Sequence, residues 1–233
     1  MKKGTFIVID GTDGSGKATQ TALLVKRLQK EKIKVKKIDF PRYNQNFFGK
    51  LIGECLSGTY GQFIHVDPHI ASVLYAADRW ESHSQIEKWL NQGFTVIADR
   101  YVSSNQIHQG GKIKNEKERI KFLKWLDTME HSIFKIPRPT AILYLHVPID
   151  LSFKLLKEKS LSQKKKYLEG KKDLAENDIK HLQDSQKSAV KIVQENNKWL
   201  QIECSEHNQI LSREEIHEKI YFVVSRHILR IKK

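Results

Sequence analysis

Short apolar segments alternate with longer amphipathic segments along the chain. The apolar segments are rich in β-branched and aromatic residues, which is typical of buried strands; they are Thr5–Asp10, Val35–Phe40, Phe94–Ala98, Ala141–Val147 and Trp199–Glu203. The amphipathic segments repeat apolar residues three or four positions apart, as helices do; they are Lys17–Lys30, His69–Leu90, Ile120–Met129, Ile179–Glu195 and Arg213–Leu229. This alternation predicts βαβ units, and therefore an α/β fold with a five-stranded parallel sheet and helices on both faces.

The chain has 233 residues and shows neither an internal repeat nor a linker. We therefore expect a single domain spanning residues 1–233. No apolar run approaches the roughly 18 residues of a membrane span, and Asp10 interrupts the first apolar run too early for a signal peptide. Cys55 and Cys204 lack the paired spacing of a disulfide framework or a cysteine-rich zinc site. We expect a cytoplasmic protein with no membrane partner.

The charge balance is strongly basic. Lys and Arg number 41 against 27 acidic residues, which gives a formal net charge of +14. Such a charge attracts polyanions such as nucleotides, RNA or a membrane surface. The excess lies in Lys-rich stretches that are typical of a solvated surface, and no basic helix with interleaved aromatic residues is present. Nucleic acid is therefore not an expected partner.

A phosphate-binding loop follows the first predicted strand. The segment Gly11–Lys17 reads GTDGSGK and matches the G-x-x-x-x-G-K pattern between a strand and a helix. Its glycines permit a tight turn, its amides and the helix N-terminus surround phosphates, and Lys17 reaches the β and γ oxygens. The candidate ATP-binding residues are Gly11, Thr12, Asp13, Gly14, Ser15, Gly16, Lys17, Ala18 and Thr19.

The loop departs from the usual pattern at Ala18, where Ser or Thr ordinarily offers a hydroxyl to Mg²⁺. Thr19 points about 100° further round the helix and is a poor substitute. Asp13 and Asp99 are the acids placed to hold or orient the ion, directly or through water. The alternative for each acid is a capping or ion-pairing role.

Two further strand ends carry arginines. Phe40-Pro-Arg-Tyr43 follows the second strand and Asp99-Arg-Tyr101 follows the third. Parallel sheets bind ligands outside the carboxyl ends of their strands, and a guanidinium group can bind a phosphate through two hydrogen bonds. Arg42 and Arg100 beside a triphosphate loop therefore indicate an acceptor that is itself a phosphate ester.

Four segments in one register resemble the thymidylate kinase family. They are the acid-containing phosphate loop, Phe40–Tyr43, Leu74–Arg79 and Asp99–Gly110. The resemblance runs from Thr5 to about Val147 and more loosely to Cys204. It implies a P-loop kinase fold, ATP and Mg²⁺ as cofactors, a homodimer, and γ-phosphoryl transfer from ATP to dTMP, giving dTDP for dTTP synthesis.

The resemblance also implies roles for individual residues. Tyr75 matches the aromatic that stacks on thymine, Arg79 the residue bonding its carbonyl, and Arg100 the residue that binds the acceptor phosphate. The implied catalytic set is Lys17, Arg100, Arg42 and Asp13, of which Asp13 matches an acid near the sugar 3′-hydroxyl and the metal. The implied substrate-binding set is Phe40, Pro41, Arg42, Tyr43, Tyr75, Arg79, Arg100, Asn105, His108 and Gln109.

Several of these residues have simpler interpretations. Tyr75 suits a core aromatic, and Arg79 suits a surface pair with Asp78 or Glu81. His108 stands where many family members have Tyr beside the 2′ edge of the sugar, and it also suits a packed core histidine.

The resemblance further implies a mobile lid after the fourth strand, at about residues 158–178. This stretch contains no Arg, so its cations are lysines, among them Lys164–Lys166, Lys171 and Lys172. A solvated lysine run is the alternative.

Two other functions remain open. One is a kinase for another nucleoside monophosphate or a deoxynucleoside. The other is a polyanion-binding protein with a vestigial nucleotide site, which the net charge and Ala18 suggest.

Overall fold

The computed structural model describes the backbone of residues 3–162 and 178–231, and the side chains of residues 3–158 and 178–231. The lysines assigned to the predicted lid, Lys164–Lys166, Lys171 and Lys172, lie outside the described residues.

The predicted parallel sheet is confirmed. Its strands are β1 (Phe6–Gly11), β2 (Val35–Asp39), β3 (Thr95–Asp99), β4 (Ala141–His146) and β5 (Trp199–Glu203). They lie in the order β2-β3-β1-β4-β5, and every neighbouring pair is parallel. Each observed strand lies within one residue of the predicted bounds at either end.

Helices cover both faces of the sheet. They are α1 (Lys17–Lys30), α2 (Phe47–Leu56), α3 (Pro68–Asn91), α4 (Val102–Lys112), α5 (Glu116–Asp127), α6 (Ile149–Ser162), α7 (Ile179–Glu195) and α8 (Arg213–Val223). The shorter elements among the described residues are a 3₁₀ turn (Phe63–His65), two π-helical turns (Thr128–Ile133 and Val224–Ile228) and a small hairpin of β6 (Ser205–Glu206) and β7 (Gln209–Ile210).

Three helices were missed, and two predicted helices, α5 and α8, have different bounds. Helices α2, α4 and α6 were not predicted from the sequence. Helix α5 begins four residues before the predicted Ile120 because the side chain of Asn115 accepts a hydrogen bond from the backbone N–H of Glu118. The predicted helices Ile120–Met129 and Arg213–Leu229 both end in π-helical turns.

The side chains of β1 divide the core into two layers. Phe6 and Val8 pack on one face of the sheet and Ile7 and Ile9 on the other, because successive strand residues point in opposite directions. The first layer packs under α3, α4, α5 and α7, and the second under α1 and α8. The sheet is therefore buried on both faces.

The register brings the chemically important strand ends together. Asp99 pairs with Ile9 of β1 on one side and with Asp39 of β2 on the other. The next residue, Arg100, donates its backbone N–H to the carbonyl oxygen of Ile9 at 3.0 Å. The ends of β1, β2 and β3 consequently open onto the same edge of the sheet.

Candidate functional site

The phosphate loop joins β1 to α1. Gly14 and Gly16 have φ values of +84° and +82°, a left-handed conformation that favours glycine. A Cβ atom at Gly14 would lie 2.5 Å from the carbonyl oxygen of Ser152, so α6 packs directly on the loop. The Ser152 hydroxyl also donates to the carbonyl oxygen of Asp13 at 2.5 Å. Helix α6 thus holds the phosphate loop in place.

Lys17 lies across this loop. Its ammonium group donates to the carbonyl oxygens of Gly11 at 3.0 Å and Thr12 at 2.8 Å, and it lies 4.0 Å from Oδ1 of Asp13. Burial, together with the nearby Arg100 guanidinium, lowers the pKa of Lys17 to about 8. A bound anion would reverse this effect, so the lysine is suited to hold phosphate oxygens.

Arg100 connects the end of β3 to the phosphate loop. Its φ of +66° is unusual for a residue other than glycine, and such strained positions cluster at functional sites. The guanidinium group forms an ion pair with Asp13 through Nη2. Burial opposes the charge, but Asp13, Asp10 and Asp99 together raise the pKa of Arg100 above its ordinary value. The cation is therefore permanent.

His108 holds the other side of Arg100. Nη1 of Arg100 donates to Nε2 of His108 at 3.2 Å, and Nδ1 of His108 lies 3.2 Å from the hydroxyl of Ser185. The ring also stacks on His181, with ring centroids 5.5 Å apart. Burial holds the pKa of His108 well below its usual value, so the ring is neutral and can accept from Arg100. His108 is therefore part of the site as well as packed.

A cavity of about 910 Å³ runs along the sheet edge beside these groups. At one end it meets the phosphate-loop residues from Asp13 to Thr19. At the other end it meets the half-buried ring of Tyr75, whose centroid lies 6.1 Å from that of Phe63. Other predicted substrate-binding residues also line it: Phe40, Pro41, Tyr43, Arg79, Arg100, Asn105, His108 and Gln109. Gly11 and Thr12 lie behind the wall, where their carbonyls hold Lys17.

Arg79 is buried at the Tyr75 end of the cavity, with 2% of its surface exposed. Its Nε donates to Oε2 of Glu130 at 2.8 Å, and its Nη2 donates to Oε1 of the same carboxylate. A surface pair with Asp78 or Glu81 is therefore wrong. Asp78 instead accepts from the backbone N–H of Arg42, and Glu81 accepts from backbone N–H groups at the start of α2.

Two amide side chains complete this end of the cavity. Asn105 donates through Nδ2 to the carbonyl oxygen of Ser72 at 3.2 Å and to Oε1 of Glu130 at 3.1 Å. Gln109 is 5% exposed, and its Oε1 atom is buried without a hydrogen-bond partner. Because a buried polar atom rarely stays unsatisfied, Gln109 offers an acceptor to a bound molecule.

Arg42 does not lie where the prediction needs it. Its Nη1 donates to the hydroxyl of Ser82 on α3 at 3.1 Å, and it is not among the residues that line the cavity. Its Nε atom is buried without a hydrogen-bond partner. A contact between Arg42 and an acceptor phosphate requires the side chain to rotate away from Ser82, and this role stays a prediction.

The two acids predicted to serve Mg²⁺ differ in their surroundings. Asp99 lines the cavity, and burial raises its pKa. Asp13 is already ion-paired with Arg100. Within residues 3–158 and 178–231, no group of three or more His, Cys, Asp or Glu side chains is arranged to hold a metal. The available oxygens nevertheless fit Mg²⁺ bound to a phosphate, because this ion usually keeps waters and takes only one or two carboxylates.

Sequence reasoning missed several residues of the site, among them four that carry a charge or can titrate. Lys112, His181 and Arg213 line the cavity, and Glu130 holds Arg79. Glu130 did carry a signal. It falls on the stripe formed by Phe122, Leu126 and Met129, and an acid on an apolar stripe needs a buried partner.

Comparison with known proteins gives a consistent result. The family described as thymidylate kinase matches residues 9–220 of this chain. The thymidylate kinase of Plasmodium falciparum is 32% identical over 63% of this chain and 63% of its own length. A probable thymidylate kinase of Pyrobaculum aerophilum is 30% identical over 70% of this chain and 75% of its own. The human thymidylate kinase is 29% identical over 64% of this chain and 63% of its own.

The chain thus spans less than two thirds of the length of two of these three relatives, those from Plasmodium falciparum and human. A solved structure of thymidylate kinase from Candida albicans has the same fold, with a TM-score of 0.71 and 22% identity over 96% of this chain and 92% of that one.

Proposed function

The chain belongs to the thymidylate kinase family, and from this premise we propose that it transfers the γ-phosphoryl group of ATP to the 5′-phosphate of dTMP, giving dTDP and ADP. The product would serve dTTP synthesis.

One observation carries the proposal: Lys17, at the start of α1, and Arg100, at the end of β3, face one cavity and are bridged by Asp13. Each cation suits a separate anionic group. Phosphoryl transfer depends mainly on positioning two such groups in line and on neutralising the charge between them. A cavity with a cation at each reacting group meets both needs.

The donor end is built from the phosphate loop. Lys17 exchanges its contacts with the carbonyls of Gly11 and Thr12 for the β and γ oxygens of ATP. Asp99 and Asp13, which lies in the phosphate loop, would hold or orient Mg²⁺ directly or through water. When bound there, Mg²⁺ would supply charge that offsets the negative charge of the phosphate oxygens. Ala18 supplies no hydroxyl, so the protein contributes fewer direct ligands than most phosphate loops do.

The acceptor end is built from β3, α3 and α4. Arg100 binds the 5′-phosphate of the acceptor, and Asp13 and His108 hold its guanidinium group in place. Tyr75 stacks on the base and Arg79 donates to a base carbonyl, while Asn105 and Gln109 lie near the base edge. Arg42 joins Arg100 on the phosphate after rotating away from Ser82.

The proposal also covers the domain organisation, oligomeric state, location and partners of the protein. Within the described residues no helix is long and apolar enough to cross a membrane. We infer a single-domain, homodimeric, cytoplasmic enzyme with a lid at about residues 158–178, and we expect no nucleic-acid partner.

The test is a coupled assay of ADP release with dTMP, dUMP, UMP, dCMP and thymidine as acceptors. The proposal predicts that dTMP gives the highest kcat/KM. A higher kcat/KM for another monophosphate would show that dTMP is not the preferred substrate. Activity on thymidine alone would show that the protein is a nucleoside kinase. ATP binding without turnover on any acceptor would contradict a kinase.

A further inference from the structure

Glu130 is an acidic side chain in the interior of the protein. It lies in the π-helical turn Thr128–Ile133, and none of its surface is exposed. A buried carboxylate is unfavourable unless it is paired and hydrogen-bonded. Both of its oxygens accept from Arg79, and Oε1 also accepts from Asn105. Glu130 therefore joins two residues of the cavity wall without lining the cavity itself.

The geometry of this pair restricts Arg79. A guanidinium group has five N–H donors in one plane. Glu130 takes one from Nε and one from Nη2, and the carbonyl oxygen of Tyr101 takes one from Nη1 at 3.3 Å. A two-point contact fixes the plane as well as the position of the group. The two remaining donors, one on each terminal nitrogen, then have a fixed direction.

A fixed array of donors discriminates between bases. Arginine has no acceptor, so the base atom that meets Arg79 must itself accept. The edge of thymine or uracil carries two carbonyl oxygens, whereas cytosine replaces one of them with an amino group, which is a donor. A site built to donate rejects an analogue that lacks the acceptor.

We propose that Glu130 is a positioning residue that fixes the guanidinium plane of Arg79, and through it the preference of the site for a pyrimidine that has a carbonyl where cytosine has its amino group. This inference rests on the proposed function, and it adds Glu130 to the residues that determine specificity. Because Glu130 also accepts from Asn105, it holds two parts of the base pocket in one arrangement.

The test compares steady-state kinetics of the full-length wild type with those of Glu130→Gln. Glutamine has the shape of glutamate but presents an N–H₂ group to one Arg79 donor, so the two-point contact is lost. We expect KM for dTMP to rise about 10- to 100-fold, while KM for ATP stays within about twofold. We also expect the kcat/KM ratio of dTMP to dCMP to fall at least about tenfold, because a mobile guanidinium discriminates less.

The matched control is Asp127→Asn. Asp127 also forms a two-point pair, with Nη1 and Nη2 of Arg138 at 2.5 and 2.7 Å, but on the surface of the protein and away from the cavity. This variant should keep both KM values and the dTMP-to-dCMP ratio. Thermal unfolding of all variants separates loss of stability from loss of selectivity.

A second variant, Glu130→Asp, keeps the buried charge but is too short to reach both nitrogens of Arg79. If Glu130→Gln does not fold, this variant carries the test, with the same rise in the KM for dTMP. The inference is overturned if folded variants keep the KM for dTMP and the dTMP-to-dCMP ratio and lose only thermal stability. Failure of the wild type to use dTMP would instead overturn the proposed function.

Discussion

At the scale of single residues, the account depends on cations held in fixed positions. Arg100 is held by Asp13 on one side and by His108 on the other, in a strained backbone conformation. Lys17 is held by carbonyl oxygens of its own loop. A group that is already oriented loses little entropy when a phosphate arrives, so it contributes more to positioning than a mobile surface lysine does.

The first prediction concerns Arg100. Replacing it with Ala should lower kcat/KM for dTMP by about 10²- to 10³-fold, because one fixed donor to the transferring phosphates is lost. The dissociation constant for ATP should change by less than about threefold, since Lys17 and the loop remain. Calorimetry and the coupled assay measure the two quantities. Arg138→Ala, which removes an exposed arginine, is the control, and near-normal turnover in Arg100→Ala would refute the assignment.

The second prediction concerns the protonation of Lys17. Burial lowers its pKa to about 8 in the free protein, and a bound triphosphate restores it toward the ordinary value. ATP binding should therefore take up a proton above pH 8 and weaken as the pH rises, by up to about tenfold per pH unit. Below pH 8 the lysine is already charged and neither effect is expected.

Calorimetry at about pH 8.5 and about pH 7, in buffers of different ionisation enthalpy, measures this uptake. Lys112 also lines the cavity, and burial also lowers its pKa to about 8. The variant Lys112→Arg removes that second titration and keeps its charge. Proton uptake that disappears in Lys112→Arg would assign the effect to Lys112 and contradict the role given to Lys17.

At the scale of elements, the close contact between α4 and α7 holds one wall of the cavity. Helix α4 carries Asn105, His108 and Gln109, and α7 carries His181 and Ser185. A Cβ atom at Gly111 would lie 2.9 Å from the carbonyl oxygen of Asp184, so the two backbones meet directly. The φ of Gly111 is not in the left-handed region, so any residue could adopt this backbone conformation. Glycine is required because a side chain would have no space.

The third prediction compares two neighbouring glycines of α4. Gly111→Ala should lower the free energy of unfolding by about 1 to 3 kcal/mol, because the new methyl group meets backbone that cannot yield. In Gly110→Ala the methyl would lie 3.5 Å from the side chains of Leu123 and Ser188, an ordinary contact. That variant should be neutral or gain up to about 1 kcal/mol in helix stability. Urea unfolding measures both, and equal stabilities would contradict the close approach.

Element prediction from the sequence found the sheet and helices α1, α3, α5, α7 and α8 but missed α2, α4 and α6. The strands and helices α1 and α7 were predicted almost to the residue. Helix α4 was missed because Ser103, Asn105 and Gln109, which are polar, occupy its buried face. The π-helical turn that carries Glu130 has no sequence pattern of its own. The available signal was the position of this acidic residue on an apolar stripe.

At the scale of the whole molecule, the fold brings distant segments to one edge of the sheet. The order of strands places β1 beside β3, so residues 13 and 100 meet although 87 positions separate them. A parallel sheet predicts that these strand ends share one edge, whereas their direct meeting depends on the strand order, which was not predicted. The direction of the Arg42 side chain and the partner of Arg79 could not be predicted, because they depend on packing against α3 and against the π-helical turn Thr128–Ile133.

The central claim is that the cavity holds two anionic nucleotides end to end. The most direct test is calorimetric binding of a dinucleotide in which adenosine and thymidine are joined through a 5′-to-5′ polyphosphate chain. The account predicts one molecule per protein chain and an affinity at least about 100-fold tighter than that of ATP, with most of this gain lost in Arg100→Ala. A dinucleotide that binds no more tightly than ATP would contradict it.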